Sequence, residues 1–516
     1  MKNTFFLTTA IDYANGRPHF GHAYEKCLAD MIARYQRSLG KEVFFLTGTD
    51  EHGQKVQQSA QKNNQEPQQY VDEVTAGFVD LCQKLQISES KFVRTTDPMH
   101  KKFVQEALQK LYDQGEIYLQ EHEGFYSVRQ EQFVTEKDQV EGQWPEIFGE
   151  VVRMKEPNYF FKLSKYQDWL KEELQKNPEW IYPAFRRNEI IGALEKPLDD
   201  LCISRPKSRL TWGIELPFDQ NFVTYVWFDA LINYVSFANF GTPENQWPAD
   251  LHIIGKDILI PAHGVYWPIM LKALGWPLPK KYLVHGWWLN RGAKMSKSTG
   301  NSVDPLPYIE KFGSDTFRYF VNREMSVGQD ADFTDEKMMQ RYKSDLMNDL
   351  GNLVNRSISM VHRYRQGIVP DYQESEVTEV DSPLRSNQVV EEYRKSMDEY
   401  QVHGGLQQIW SLIQSANQYV EVNAPWKLAK DPANDPRLNL VLAHLVESCR
   451  RLSVLVEAVV PQSAAKIRGM LKLSSEPMLL SEASFGKTMT GQTLGPAEIL
   501  FPRIEEQLVS NPAEEK

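Results

Sequence analysis

Two short apolar runs separated by one amphipathic segment limit what the N-terminal part of this chain can become. "TFFLTTA" (4–10) is rich in Thr and Phe and gives way to the polar "DYANGRP", while "EVFFLTGTDEHG" (42–53) is a second buried-strand pattern ending in charged residues. Between them "AYEKCLADMIARYQRSLG" (23–40) repeats apolar residues at helical spacing, at Leu28, Ile32 and Tyr35, and stops at Gly40. Strand, helix and strand, with polar residues collected at the strand ends, is the repeating unit of an α/β sheet. The same style returns late: "TYVWFDALINYVSFANF" (224–240) and "DLHIIGKDILIPAHGVYWPIMLKALG" (250–275) are each expected to give a strand, a polar tip and a helix. The stretch from about 116 to 215, richer in aromatic, Gln and Glu residues, reads as short strands with turns. An open α/β sheet split by an insertion follows.

Beyond Gly328 the pattern turns helical and stays so. In "KMMQRYKSDLMNDLGNLVNRSISMVHRY" (337–364), Met339, Tyr342, Leu346, Leu350 and Leu353 share one stripe about 80° wide at 100° per residue. Asn348 and Asn352 fall on the opposite side, with Arg356 on its flank. The polar, acidic stretch 367–388 reads as a connector, and amphipathic helices are predicted at about 389–423 and 436–471.

Composition narrows the classes. With 516 residues, 41% hydrophobic and 25% charged, the chain has the make-up of a globular protein of two to four domains. No run of 18 or more apolar residues occurs, and "MKNTFFLTTAIDYANG" lacks the basic start and small-residue cleavage pattern of a leader, so no membrane partner and a cytoplasmic location are expected. Cys27, Cys82, Cys202 and Cys449 are scattered without a C-x-x-C pair, which argues against disulfides and a cysteine zinc site. The net charge of −11 speaks against a general polyanion binder, yet 280–365 carries 14 Lys and Arg against 10 Asp and Glu, so an anion is expected to dock in the middle of the chain.

Chemistry concentrates in two motifs. In "GRPHFGH" (16–22), His19, Gly21 and His22 lie where the first helix begins. A helix start directs free N–H groups and the positive end of its dipole at a phosphate, and two imidazoles three apart can donate to that phosphate as charge builds on it. Capping or solvent-facing histidines would give the same pattern. The second motif, "NRGAKMSKSTGNSVDP" (290–305), sets Lys294 and Lys297 around Met-Ser with glycines on both sides, a cationic loop suited to a pyrophosphate. A solvated basic loop is the plainer reading of that motif alone.

Together, H-x-G-H after the first strand and K-M-S-K-S late in the same domain resemble the class I aminoacyl-tRNA synthetases. "AIDYANGRPHFGH", "TGTDEHG", "YVWFDALINYVS", "GKDI", "HGVYWP", "KMSKSTGN" and "NQYVEVNAPWKLAK" narrow this, in order from residue 4 to about 504, to a likeness with the methionyl-tRNA synthetase family. The resemblance implies a Rossmann-type parallel sheet split by a connective insertion, then a stem-contact fold and an all-α helical-bundle anticodon-binding domain. On this chain the divisions are 1–115 and 216–290 for the two catalytic halves, 116–215 for the insertion, 291–335 for the stem-contact region with the K-M-S-K-S loop, and 336–510 for the bundle.

The same resemblance implies ATP with Mg²⁺, L-methionine and methionine-accepting tRNA, initiator and elongator, as partners. His19, Gly21, His22, Lys294, Ser296 and Lys297 would bind ATP, with His19, His22, Lys294 and Lys297 catalytic; Ile11, Tyr13, Asp50, Trp227, Ala230, Tyr234, Ile258 and His263 would hold methionine. Asn348, Asn352, Arg356 and Trp426 match the positions that read the anticodon. Leu231 stands where some relatives carry proline, and one residue more than the family pattern separates "GKD" from His263. A monomer is expected because the chain stops just after the anticodon domain.

Rival readings fit less of the chain. The isoleucine, valine and leucine enzymes need an editing insertion that 116–215 cannot hold, and a cysteine enzyme needs zinc ligands missing here. Small nucleotidylyltransferases have no use for the C-terminal helices, and a non-catalytic RNA-binding paralogue has none for His19, His22, Lys294 and Lys297.

The insertion departs from a pattern common in relatives, a zinc knuckle with paired cysteines. Ser127, Gln130, Trp144 and Phe148 occupy the matching positions, and none of these side chains is a competent zinc ligand. Packing of Phe125, Phe133, Trp144 and Phe148 is expected in its place. Protein purified without chelator should therefore hold no stoichiometric zinc by elemental analysis; about one zinc per chain would refute the assignment.

Overall fold

Seven short strands line up in parallel, and except for the two residues between Thr4–Thr9 and Asp12–Tyr13 the segments between them cross over a face of the sheet. The computed structural model describes residues 3–127, 129, 132–134, 136, 139–140, 142–295, 301–487 and 489–504. The main strands are β1 (Thr4–Thr9), β2 (Glu42–Asp50), β3 (Lys91–Arg94), β4 (Ile181–Tyr182), β5 (Leu251–Gly255) and β6 (Tyr282–His285), in spatial order β3-β2-β1-β5-β6-β4. A two-residue strand, Asp12–Tyr13, pairs with Thr49–Asp50 at the tip of β2. Registers such as Leu7↔Leu251 and Phe6↔Phe44 put the apolar runs side by side. The helix α1 (Phe20–Ser38) crosses from β1 to β2 and buries Phe20, Ala23, Tyr24, Leu28, Met31, Ile32 and Tyr35.

From β1 the chain builds outward to β2 and β3, and the later strands β5 and β6 lie on the other side of β1. Strand order therefore reverses between β1 and β5, and a crevice opens outside their carboxyl ends.

The insertion forms a four-stranded antiparallel sheet of Ile117–Ser127, Gln132–Val134, Val151–Phe161 and Leu201–Cys202, with part of a three-stranded sheet after it. Two readings need correction. The strand before the helix α2 (Val226–Ser236) is Asp219–Thr224, which pairs antiparallel in the three-stranded sheet instead of joining the parallel one. From inside the insertion β4 returns to pair with β6, Tyr282↔Ile181 and Leu283↔Tyr182; two residues are too short for any periodic signal. At the knuckle positions, the Ser127 hydroxyl donates to Phe148 O at 2.6 Å, and Phe125, Trp144 and Phe148 form a half-buried ring cluster with centroids 5.3 and 6.1 Å apart. These side chains do not suit zinc; Gln130 and the Phe133 side chain lie outside the described residues.

Past β6, a small sheet of Trp288–Asn290, Ala293–Lys294 and Ala331–Phe333 and the helix α3 (Ser314–Glu324) lead into the bundle. There the amphipathic run 337–364 is not uniformly α-helical: Tyr342–Gly351 winds as a π-helix before α4 (Asn352–Arg365). The wider winding suits the four-residue spacing of the buried Tyr342, Leu346 and Leu350. The run expected at 389–423 is two helices, Gln388–Asp398 and α5 (Val402–Asn423), split where Tyr400 turns to φ 58°.

One buried cation ties these parts together. Arg318 on α3, fully enclosed, donates to the backbone carbonyls of Leu85, Ala458 and Val459 at 3.0, 2.8 and 3.0 Å and pairs with Asp30 of α1 at 2.7 Å. Burial pushes the Asp30 carboxyl up, but Arg318, Arg34 and the Ser88 hydrogen bonds outweigh it and hold Asp30 below its ordinary value. Arg318→Met leaves that carboxylate without its main counter-charge, so it should destabilise the protein by about 3–5 kcal/mol, whereas adding Asp30→Leu should recover part of the loss. Denaturant unfolding of the single and double variants checks this.

Candidate active site

The histidine pair explains its own spacing. His19 caps α1, its Nδ1 accepting the Gly21 N–H at 3.1 Å, and His22 reaches back so that its Nδ1 accepts the His19 N–H at 3.1 Å. The rings stack with centroids 3.6 Å apart. Since both Nδ1 atoms accept, the ring protons sit on Nε2, and two Nε2–H donors stand side by side at a helix start that itself favours an anion. A Cβ on Gly21 would lie 3.1 Å from His19 Cε1, so any larger residue would press on the stacked imidazole.

A cavity of about 460 Å³ occupies the crevice at the carboxyl ends of β1, β5 and β6. All eight side chains expected to hold the amino acid line it, Ile11, Tyr13, Asp50, Trp227, Ala230, Tyr234, Ile258 and His263, and so do Leu231, His19, Gly21, His22 and Lys294. His263 stands at the wall, after a non-helical break in the winding at Ile260 (φ −116°, ψ 124°). The Tyr234 hydroxyl and His263 Nε2 are 2.9 Å apart and His263 Nδ1 lies 3.0 Å from Ile258 O. A carbonyl can only accept, so Nδ1 carries the proton and Nε2 accepts from Tyr234. Burial lowers the His263 pKa to about 4 and keeps the ring neutral.

Asp50 is braced through its neighbours. Glu51 accepts from Thr49, Thr75, Arg94 and Thr96, and His52 meets Asp229 of α2 at 2.6 Å. His100 takes the other Asp229 oxygen at 2.8 Å. Burial raises the Asp229 pKa, but His52 and His100 overcome it and hold the group at about 2. The carboxylate thus links the strand tip carrying Asp50 to the helix carrying Trp227, Ala230 and Tyr234.

Sequence reading missed the floor of the site. Lys26, buried one turn inside α1, donates to Thr9 Oγ1 and Ala10 O at 3.1 Å each and pairs with Asp12 at 3.1 Å and Glu25 at 3.4 Å. Burial disfavours its charge, but Asp12 and Glu25 raise its pKa above the ordinary value. Glu25 also meets His285 Nε2 at 3.0 Å, while His285 Nδ1 lies 2.8 Å from Gly286 O; burial opposes the imidazolium, and Glu25 wins, raising the pKa. The only hint in the sequence was a pair of adjacent charges, Glu25 and Lys26, between Tyr24 and the apolar Cys27 and Leu28.

Lys294 lies on the short strand paired with Leu289, its carbonyl accepting from Asn301 Nδ2 at 3.0 Å, while Asn290 Nδ2 donates to Asn301 O at 3.0 Å. Ser296 and Lys297 lie outside the described residues. In the bundle, Asn348 and Asn352 are exposed, and Arg356 donates to Glu421 at 2.9 Å with its guanidinium 5.6 Å from the Trp426 ring centroid. Trp426 is 37% exposed on the short helix Pro425–Leu428.

Comparison with known proteins agrees along the whole chain. Residues 5–151 and 145–358 match the family described as tRNA synthetases class I (M), and residues 369–514 match the anticodon binding domain of methionyl tRNA ligase. The methionine–tRNA ligase of Deinococcus radiodurans is 44% identical over 97% of this chain and 74% of its own length, and that of Bacillus subtilis 41% identical over 98% and 78%. Among solved structures, Mycobacterium tuberculosis methionyl-tRNA synthetase in complex with methionyl-adenylate superposes with a TM-score of 0.92 at 40% identity, covering 98% of this chain and 100% of that one. The apo form of the same protein gives 0.85 at 36% identity over 98% and 99%.

The neutral His263 sets a pH dependence. Its folded pKa of about 4 lies below the ordinary 6.5, so the unfolded chain binds the extra proton first; stability from this group is full above about 6.5 and falls as the pH drops toward 4. His263→Gln can accept from Tyr234 and donate to Ile258 O without titrating. Melting temperature should therefore fall less steeply between pH 6.5 and 5 in the variant than in the parent, and equal slopes would refute the assignment.

Proposed function

We infer the roles of individual residues from the premise that this chain belongs to the methionyl-tRNA synthetases, the class I tRNA synthetases specific for methionine. The reaction is that of a methionine–tRNA ligase: the carboxylate of methionine attacks the α-phosphate of ATP, pyrophosphate leaves, and the terminal ribose hydroxyl of the tRNA then takes the methionyl group from the adenylate. What carries the residue assignment is one cavity at the strand-order reversal that gathers both histidines, the carboxylate Asp50, an aromatic wall and Lys294.

Little covalent chemistry falls to the protein, so its contribution is positioning and charge stabilisation. The Nε2–H groups of His19 and His22 meet the α-phosphate oxygens as negative charge builds there and the bond to pyrophosphate breaks. Lys294, Ser296 and Lys297 take the β- and γ-phosphates of ATP, which enters as its Mg²⁺ complex. Asp50 pairs with the α-ammonium. Ile11, Tyr13, Trp227, Ala230 and Ile258 surround the thioether, for which dispersion and sulfur–aromatic contacts are the available attraction, and the Tyr234–His263 pair closes the wall. In the bundle, Asn348 and Asn352 read base edges and Arg356 and Trp426 stack on unpaired anticodon bases of initiator and elongator tRNA alike. None of the described helices is long and apolar enough to cross a membrane, and translation in the cytoplasm is the setting that fits.

ATP–pyrophosphate exchange measured with each of the twenty amino acids tests the reading: exchange with methionine alone is expected, and exchange with another amino acid in its place would refute it. Lys297→Ala should lower adenylate formation about a hundredfold with little change in methionine affinity, because one cation leaves the pyrophosphate cradle. Retention of most of the exchange rate would remove Lys297 from that role. Trp426→Ala should leave tRNA-independent exchange near the parent's and cut aminoacylation efficiency about tenfold, the loss of one stacked base. A large drop in melting temperature with unchanged anticodon discrimination would instead make Trp426 a packing residue.

A further inference from the structure

Trp287, two residues past β6, carries a side chain that neither the motifs nor the reaction accounts for. Two ammonium groups address its ring, Lys294 Nζ at 3.5 Å from the centroid and Lys256 Nζ at 4.0 Å. Lys256 is anchored elsewhere, since both Asp330 oxygens hold it at 2.8 and 2.7 Å and one of them also accepts the Trp287 backbone N–H at 2.8 Å. Lys294 differs: among the described residues no carboxylate pairs with its ammonium, and the indole face is its one recorded partner. Its backbone carbonyl accepts from Asn301 Nδ2 at 3.0 Å, while its ammonium, among the described residues, rests only on the ring. The indole N–H is buried with no acceptor among the described residues, a cost that phenylalanine or leucine would not incur. What indole offers over those side chains is the strongest face for a cation. Trp287 and Lys294 line the same cavity as His19 and His22.

We propose that Trp287 is a positioning residue for the adenylation step, its face storing the Lys294 ammonium at the cavity wall until the polyphosphate of ATP draws it off. The proposal rests on the reading of Lys294 as a phosphate-binding cation. A cation on an aromatic face is held loosely compared with one bonded to phosphate oxygens, so transfer to ATP is downhill, yet the stored lysine starts ordered and within reach. Removing the face leaves the same lysine to be ordered from solution each time ATP binds.

Four proteins test this by ATP–pyrophosphate exchange: Trp287→Leu, Trp287→Phe, Lys294→Ala, and Trp287→Leu combined with Lys294→Ala. Trp287→Leu should lower kcat/KM for ATP about fivefold with the KM for methionine unchanged, Trp287→Phe should retain most of the parent's value, and Trp287→Leu should cost nothing further once Lys294 is alanine. Independent losses in the double variant, or equal losses with Phe and Leu, would mean that the ring only packs and would overturn the proposal. Undiminished exchange by Lys294→Ala alone would refute instead the reading of Lys294 on which it rests. If Trp287→Leu does not fold, Trp287→Met enters the same cycle with the same expected outcomes.

Discussion

The reversal of strand order between β1 and β5 is the constraint from which the site follows. Where neighbouring parallel strands send their crossovers to opposite sides, no connection covers their carboxyl ends, and a crevice must remain. Each group of the site reaches it by a short route: Ile11 and Tyr13 directly after β1, Asp50 at the tip of β2, Ile258 and His263 after β5, and Trp287 after β6. The start of α1 brings in the histidines with its open N–H groups already facing the same way. Catalysis by positioning needs such a place, because several strand ends can converge there without any one of them bending out of the sheet.

Convergence alone would leave the groups free to drift, and buried charge holds them. Lys26, Asp12, Glu25 and His285 form a connected network under the cavity in which burial opposes the charge on Lys26 and on His285 and the neighbouring carboxylates restore it. Asp229 does the same between the Asp50 strand tip and α2. Removing one member of such a network leaves the others uncompensated, so the geometry has few alternatives. Arg318 extends this to the molecule as a whole: with Asp30 and the carbonyl of Leu85 on one side and the carbonyls of Ala458 and Val459 on the other, it fastens α1 to the bundle that carries Trp426.

The first strand–helix–strand unit, the split of the sheet and the helical C-terminal part were legible in the sequence, because burial periodicity and strand–tip–helix patterning are local signals. His19, His22 and Lys294 were named from motifs, Asp50, Trp227 and Tyr234 from the family resemblance, and all six line one cavity. Other features were not legible. β4 is two residues long, the π-helical winding at Tyr342–Gly351 leaves the 100° repeat, and Glu25 meets His285 across 260 positions of chain. Such a contact has no signature near either residue.

By itself, then, the sequence determined which residues sit at strand ends and helix starts, since the alternation of apolar and polar side chains along the chain decides what must be buried before any distant contact forms. Only the tertiary structure decided their chemical state. That His19 and His22 carry their protons on Nε2, that burial keeps His263 neutral while Glu25 raises the pKa of His285, and that Lys294 rests on an indole face all depend on which donor, acceptor or ring the fold brings within about 3–4 Å. An imidazole in isolation titrates near neutrality, and burial and a carboxylate shift it in opposite directions.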